Sequence, residues 1–518
     1  MSGPDAEALA RAARAWADDD PDPATRDEVL ALLAAGDVEG LRVRFDGCLV
    51  FGTAGLRGPL RAGPTGMNRA VVRRTTAGLA AHLGAGSTVV VGRDARHGSA
   101  EFARDVCAVL AGAGLRALLL PRVLPTPVLA FAVRRLGADA GVMVTASHNP
   151  RQDNGYKVYL ADGAQVVSPV DRALEGRIAE VGRVGDLPLS DEWEVLGEDV
   201  VDDYLAAVAA LPLTPARAVQ VAYTPLHGVG RDVVLAAFAR AGFPPPEVVA
   251  AQAEPDPDFP TVSFPNPEEP GAMDAVLALA SASGADVAIA SDPDADRVAV
   301  AVGGRVLRGD ETGVLLADHL LAQGVRGRVA TTVVSSSMLG RVATAYGVAY
   351  SETLTGFKHL ARAGDDLVYA YEEALGVAVA PHLVRDKDGV SAALLVADLA
   401  ALERSRGRTL LDRLDDLARA HGRHETRQLS YRVDDLAVID AAVQRLRTAP
   451  PTAYGRFPVT AVEQPADDVL VHRLARGRVV VRPSGTEPKL KAYLELVEPG
   501  DGDLDALAEA VGAVLGLR

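Results

Sequence analysis

Three apolar runs, Val89-Val90-Val91-Gly92, Val219-Gln220-Val221-Ala222 and Val329-Ala330-Thr331-Thr332, each open a strand, a loop and a helix that closes near a glycine, at Gly114, Gly242 and Gly347. Strands that alternate with helical segments of about a dozen residues build parallel sheets, because a parallel neighbour is reached only by a crossover. The repeat therefore predicts an α/β chain with three tandem related α/β domains and mixed, mostly parallel sheets. Beyond about residue 430 the pattern changes to Val479-Val480-Val481, a loop at Arg482, a strand over 491–496 and a helix from Leu504, which predicts a C-terminal α+β domain. Leu211-Pro212-Leu213-Thr214-Pro215 reads as a linker, and the helix over 312–321 leads into the third domain. The expected boundaries are 1–45 for a helical N-terminal extension, then 46–210, 211–312, 313–430 and 431–518. In the extension, Leu30, Leu32, Leu33 and Leu41 supply the apolar side.

At 518 residues the chain is too long for a single core. Its 53 Lys and Arg against 69 Asp and Glu leave a net charge of −16, which disfavours nucleic acid and anionic lipid as partners. The two cysteines, Cys48 and Cys107, form no ligand cluster and point to a reducing compartment. No apolar run approaches the ~20 residues needed to cross a bilayer. Asp5, Glu7 and Asp18-Asp19-Asp20 are unlike a transit peptide, and a cytoplasmic location is expected.

Chemistry-bearing residues concentrate in a few stretches. Thr145-Ala146-Ser147-His148-Asn149-Pro150 follows the apolar run 141–144, so that a buried strand ends in a serine flanked by His and Asn, with a proline to stop regular structure. A serine there is commonly a turn residue. Asp292-Pro293-Asp294-Ala295-Asp296-Arg297 places three carboxylates at alternate positions after another apolar run. An EF-hand needs Gly at its sixth position and Glu at its twelfth, where this chain has Arg297 and Gly303. Three carboxylates converging on one point repel unless a cation sits among them, and Mg²⁺ is the natural occupant beside phosphate.

Phe51-Gly52-Thr53-Ala54-Gly55-Leu56-Arg57-Gly58 is a glycine-rich turn from which Arg57 projects. Tyr223-Thr224-Pro225-Leu226-His227-Gly228-Val229-Gly230 lacks the third glycine of a dinucleotide loop, since Val233 stands there, and no Walker A pattern occurs. Glu372-Glu373-Ala374-Leu375-Gly376 puts two carboxylates at a strand end, either as an exposed acidic turn or as acceptors for sugar hydroxyls. Thr355-Gly356-Phe357-Lys358-His359 adds a cation. Arg482-Pro483-Ser484-Gly485-Thr486 combines a guanidinium, two hydroxyls and a glycine that permits close backbone approach, a set able to ring a phosphate. Serine, acidic loop and phosphate loop together indicate phosphoryl transfer.

These stretches, in this order and across nearly the whole chain, resemble the α-D-phosphohexomutase superfamily of phosphoglucomutases and phosphomannomutases. The Gly-Thr-Ala-Gly-Leu-Arg-Gly opening, Leu354-Thr355-Gly356-Phe357-Lys358 and Arg385-Asp386-Lys387-Asp388-Gly389 are similar to the branch that also contains the phosphopentomutases. The resemblance implies four domains around a central cleft and a phosphoryl group carried on Ser147, with His148 beside it. It implies Mg²⁺ held by Asp292, Asp294 and Asp296 together with that phosphate, and Arg297, Arg57 and Lys157 near the transferring group. Glu372 would hold sugar hydroxyls, with Thr355, Gly356 and Lys358 nearby. Arg482, Ser484, Gly485 and Thr486 would bind the idle phosphate. The activity implied is interconversion of glucose 1-phosphate and glucose 6-phosphate, with glucose 1,6-bisphosphate as intermediate and activator, by a monomer or homodimer. Mannose and pentose phosphates are alternatives, because the sugar loop lacks the hydroxyl residue and following Gly-His of hexose-only members. A phosphatase or a sugar-phosphate binding protein would share some of these residues without mutase turnover.

Overall fold

The computed structural model describes residues 4–50, 55–433, 436–483 and 489–516. The chain falls into two compact units, Met1–Val306 with Gly376–Leu402, and Leu307–Leu375 with Glu403–Arg518.

The first unit opens with helices Pro4–Ala17, Pro23–Ala35 and Val38–Phe45. Their shared core is Ala13, Ala17, Val29 and Leu41 with Ala62, and Leu32 and Leu33 pack against it. Leu30, expected inside, is 46 % exposed and Val29 takes its place. Neighbouring leucines point about 100° apart on a helix, so a cluster of them cannot all face one side.

Two sheets follow. The first has the strand order Leu56–Pro59, Asp153–Leu160, Ala140–Val144, Thr88–Arg93, Arg116–Leu119, Glu194–Val195. From Ala140–Val144 onward its pairs are parallel, while Asp153–Leu160 runs antiparallel to both of its neighbours. The second has Val221–Thr224 between Glu247–Val248 and Val287–Ala290, both parallel to it, with Ala299–Val302 and Arg305–Val306 antiparallel beyond. The strands Ala140–Val144, Val221–Thr224 and Val287–Ala290 are buried at every residue, as parallel strands covered on both faces must be.

In the second unit, strands Tyr350–Thr353, Arg328–Thr332 and Leu367–Glu372 lie side by side in parallel. The C-terminal sheet is antiparallel, in the order His424–Arg432, Lys489–Val497, Gly477–Pro483, Val469–Leu474, Phe457–Ala466, Ala453–Tyr454. Helix Asp503–Leu515 buries Leu504, Leu507, Val511 and Leu515 against it. The fold is thus three α/β sheets, each with parallel pairing, and a C-terminal antiparallel α+β sheet. Among the described residues no helix is long and apolar enough to cross a membrane.

Candidate active site

Ser147 stands just past the end of the buried strand Ala140–Val144, and the chain returns at once as Asp153–Leu160. That antiparallel return sets Met143 opposite Lys157, so one hairpin positions both the hydroxyl and the cation. Ser147 is held at a φ of 53°, a left-handed conformation that non-glycine residues adopt at a cost of about 1–3 kcal/mol. Its Oγ donates to Asp292 Oδ2 at 2.7 Å and lies 3.3 Å from His148 Nδ1. Burial first, then the nearby Arg297 and Arg57 guanidinium groups, hold the His148 imidazole well below its ordinary range. It is therefore neutral at neutral pH.

The acidic loop begins directly after the strand Val287–Ala290. Asp292, Asp294 and Asp296 present oxygens within 4.8 Å of one another, all three fully buried. Three carboxylates in such a space demand positive charge, and two lysines supply part of it. Lys157 Nζ donates to Asp294 at 2.7 Å and to Asp296 at 3.0 Å, and Lys387 Nζ lies 3.4 Å from Asp296. Burial opposes the charged form of Asp296, but Lys157, Lys387 and Arg297 outweigh it and hold the carboxyl far below its usual range. Asp292 goes the other way: burial, then Asp296 and Asp294, raise it well above the usual range.

Asp294 Oδ1 and Asp296 Oδ1 are buried without a hydrogen-bond partner. Orphaned carboxylate oxygens pointing into an all-oxygen cluster are what a hard divalent cation coordinates, so the residues fit a metal ion.

Arg57 lies on Leu56–Pro59, antiparallel to Asp153–Leu160, and its Nη1 donates to Asn149 Oδ1 at 3.3 Å. Gly55 before it has a φ of 82°, and a Cβ there would meet the Tyr156 carbonyl at 2.3 Å, so the close approach of this strand requires glycine. The Arg297 amide donates to Asp292 Oδ1 at 3.0 Å, and its Nε stands 3.8 Å from Asp296. Ser147, His148, Lys157, Arg57, Arg297 and the three aspartates therefore share one locus of the first unit. His227 is tied to Thr261 at 2.8 Å and lies in the packing of the second sheet.

Three residues of this locus carry no role in the reading of the sequence. Thr126 Oγ1 donates to Asp294 Oδ2 at 2.6 Å. Lys387 reaches the triad because Gly376 forms an antiparallel bridge with Arg297 and the Gly389 amide donates to the Ala295 carbonyl, which carries the 385–389 stretch to the acidic loop. Arg96, in Arg93-Asp94-Ala95-Arg96 at the end of the first repeated strand, grips the backbone of the serine loop. Its signal was the position after that strand, where ligand-facing loops of parallel sheets sit.

In the second unit, Gly356 has a φ of 105° and precedes the short helix Phe357–Leu360, which carries Lys358; Thr355 comes just before. Glu372 is the last residue of Leu367–Glu372 and is buried. The neighbouring Glu373 carboxylate is engaged by Thr332 Oγ1 at 3.0 Å and Ser335 Oγ at 3.1 Å. Arg482 sits on Gly477–Pro483 opposite Lys491, with Nε buried and without a partner. Ser484, Gly485 and Thr486 lie outside the described residues.

The chain matches all four profiles of one family: phosphoglucomutase/phosphomannomutase alpha/beta/alpha domain I over residues 49–183, domain II over 202–305, domain III over 308–420 and the C-terminal domain over 431–511. It is 44 % identical to a probable phosphomannomutase of Haemophilus influenzae, across 85 % of this chain and 95 % of that protein. It is 34 % identical to a phosphoglucomutase of Staphylococcus aureus (92 % and 94 %) and 33 % identical to a mouse phosphopentomutase (97 % and 92 %). Among solved structures, a putative phosphomannomutase of Thermus thermophilus superposes with a TM-score of 0.75 at 26 % identity, covering 91 % of this chain and 99 % of that one.

Proposed function

The chain belongs to the phosphoglucomutase/phosphomannomutase family and is an intramolecular phosphotransferase of that type; on that premise we propose that it interconverts glucose 1-phosphate and glucose 6-phosphate through a phosphorylated Ser147 and a bisphosphorylated sugar. The observation that carries this reading is the Ser147 hydroxyl donated to Asp292 inside a buried carboxylate cluster that Lys157 partly neutralises. A hydroxyl held there is fixed in position to take and give a phosphoryl group rather than to cap a turn.

In the forward direction phospho-Ser147 gives its phosphoryl group to the free hydroxyl of the sugar monophosphate. The bisphosphate, glucose 1,6-bisphosphate, turns over and returns the other phosphoryl group to Ser147. His148 and Lys157 are the groups placed to hold and move the hydroxyl proton, and Arg57 and Arg297 balance the phosphoryl oxygens. Asp292, Asp294 and Asp296 would hold Mg²⁺, which when bound neutralises charge developing on the transferring group. Glu372 accepts from sugar hydroxyls, with Thr355, Gly356 and Lys358 beside it, and Arg482 with Ser484, Gly485 and Thr486 binds the idle phosphate.

A second reading, with mannose or pentose phosphates as substrate, is favoured by the names of the similar proteins and by the sugar loop, which has Ala374 and Leu375 at the place of a hydroxyl and glycine. A coupled assay over glucose, mannose and ribose 1-phosphates, with intact-mass analysis of the enzyme, tests both. Glucose 6-phosphate should form without net release of inorganic phosphate, and Ser147→Ala should lose several orders of magnitude in turnover while remaining folded. A Ser147→Ala enzyme that keeps a tenth of the activity would overturn the assignment.

A further inference from the structure

Ser147 holds a left-handed φ of 53°, a conformation that persists where surrounding contacts over-determine it. The side chain of Arg96 is almost wholly buried and points into the concave side of the serine loop. Its Nη2 donates to the carbonyls of Ser147 at 2.6 Å and Asn149 at 2.5 Å, and its Nη1 to those of Pro150 at 2.8 Å and Asp153 at 3.2 Å. Four carbonyls within seven residues are thereby drawn to one planar group. The guanidinium is fixed in turn by Asp94 Oδ2, 3.4 Å from Nε, and by the ring of Phe259, 5.0 Å from its central carbon. Asp94 is itself set by Ser99 Oγ at 2.6 Å and by the Arg96 amide at 3.0 Å.

We propose that Arg96 is a positioning residue for the mutase reaction: it binds no phosphate and holds the serine loop in the one backbone conformation that aims the Ser147 Oγ at Asp292. The proposal rests on the reading of Ser147 as phosphoryl carrier. All four terminal N–H donors of the guanidinium are spent on carbonyls and its buried Nε faces Asp94, so no terminal donor remains for substrate. Only the planar five-donor fork can satisfy four carbonyls at once, whereas an ammonium has three donors in a tetrahedral array. Losing the clamp lets the loop relax toward ordinary φ values and moves the Oγ, and a displacement of about 1 Å from the reacting geometry costs about 10²-fold in rate.

The test compares Arg96→Lys, Phe259→Leu, Ser147→Ala and the unaltered enzyme with glucose 1-phosphate as substrate. Arg96→Lys should lower kcat about 100-fold and leave KM within about threefold, while amide hydrogen exchange accelerates in residues 146–152 and not in strand Ala140–Val144. Phe259→Leu keeps every hydrogen bond of the clamp and should lower kcat about fivefold, again at constant KM. It decides the matter if the lysine variant fails to fold. A rise in KM at unchanged kcat would make Arg96 a substrate ligand, and unchanged kcat in both variants would make the clamp irrelevant to catalysis; either overturns the proposal. An active Ser147→Ala would remove the carrier reading itself, whereas an inactive one beside unaffected Arg96 and Phe259 variants would remove only this inference.

Discussion

At the scale of single residues, the acidic cluster shows how chemistry follows from charge that has nowhere to go. Asp294 is engaged on one oxygen by Lys157 and Thr126, while its Oδ1 has no partner. Asp294→Asn removes one formal charge and nearly preserves shape. The variant should bind Mg²⁺ at least tenfold more weakly, by calorimetry on the purified protein, and lose turnover in parallel, with partial recovery at high Mg²⁺. Activity insensitive to both chelator and substitution would remove the metal from the mechanism. The aspartates were legible in the sequence because their spacing is local. Lys157 was legible only through family resemblance, since nothing in residues 153–157 announces a partner 137 positions away.

At the scale of elements, the recurring device is a packed strand that ends at or near a residue proposed to act on substrate. Ala140–Val144 ends at the serine, Val287–Ala290 at the aspartates, Leu367–Glu372 at Glu372 and Gly477–Pro483 at Arg482. Hydrophobic strands are rigid because they are packed, and their ends are firm anchors for the residues that follow them. If Arg482 with Ser484, Gly485 and Thr486 grips whichever phosphate is idle, Arg482→Ala should weaken glucose 1-phosphate and glucose 6-phosphate alike. A charge-assisted contact of about 1.5–3 kcal/mol corresponds to roughly 10- to 150-fold in each apparent affinity. Added glucose 1,6-bisphosphate should restore part of the turnover, because a weaker grip lets the intermediate escape. Measuring kcat/KM in both directions checks this, and a loss confined to one substrate would sink a shared phosphate loop. The strands themselves were readable from their runs of Val and Ala, whereas the extension was misread at Leu30, where composition was taken for a helix face.

At the scale of the whole molecule, two units with separate cores should not unfold as one. Scanning calorimetry should resolve two transitions, and the pH dependence of one of them should trace to Asp310. Burial, with Glu373 and Glu495 nearby, pushes Asp310 up to about 7, against the hydrogen bond from the Ser336 amide. The native state therefore keeps a proton that the unfolded chain releases near pH 4. Stability from this group is full at low pH, declines as pH rises from about 4 to 7 and is flat above, with a ceiling of about 4 kcal/mol. Asp310→Asn mimics the protonated form and keeps the Ser336 contact. At pH 8 it should raise the transition of the second unit and leave the other unmoved; near pH 4 the two proteins should coincide.

The sequence by itself determined which segments become strands and helices and which loops carry serine, carboxylates and arginine, because those signals are periodic or contiguous and need no distant partner. Only the tertiary structure decided what those loops meet. It set Lys157 and Lys387 against the same triad from positions 230 residues apart, turned the four terminal Arg96 donors onto the carbonyls of residues 147–153, and packed Gly376–Leu402 with the first unit although the chain order puts it inside the third α/β domain. The physical reason is that buried charge is stable only when compensated, and the compensating group is chosen by proximity in space, which no local pattern of residues encodes.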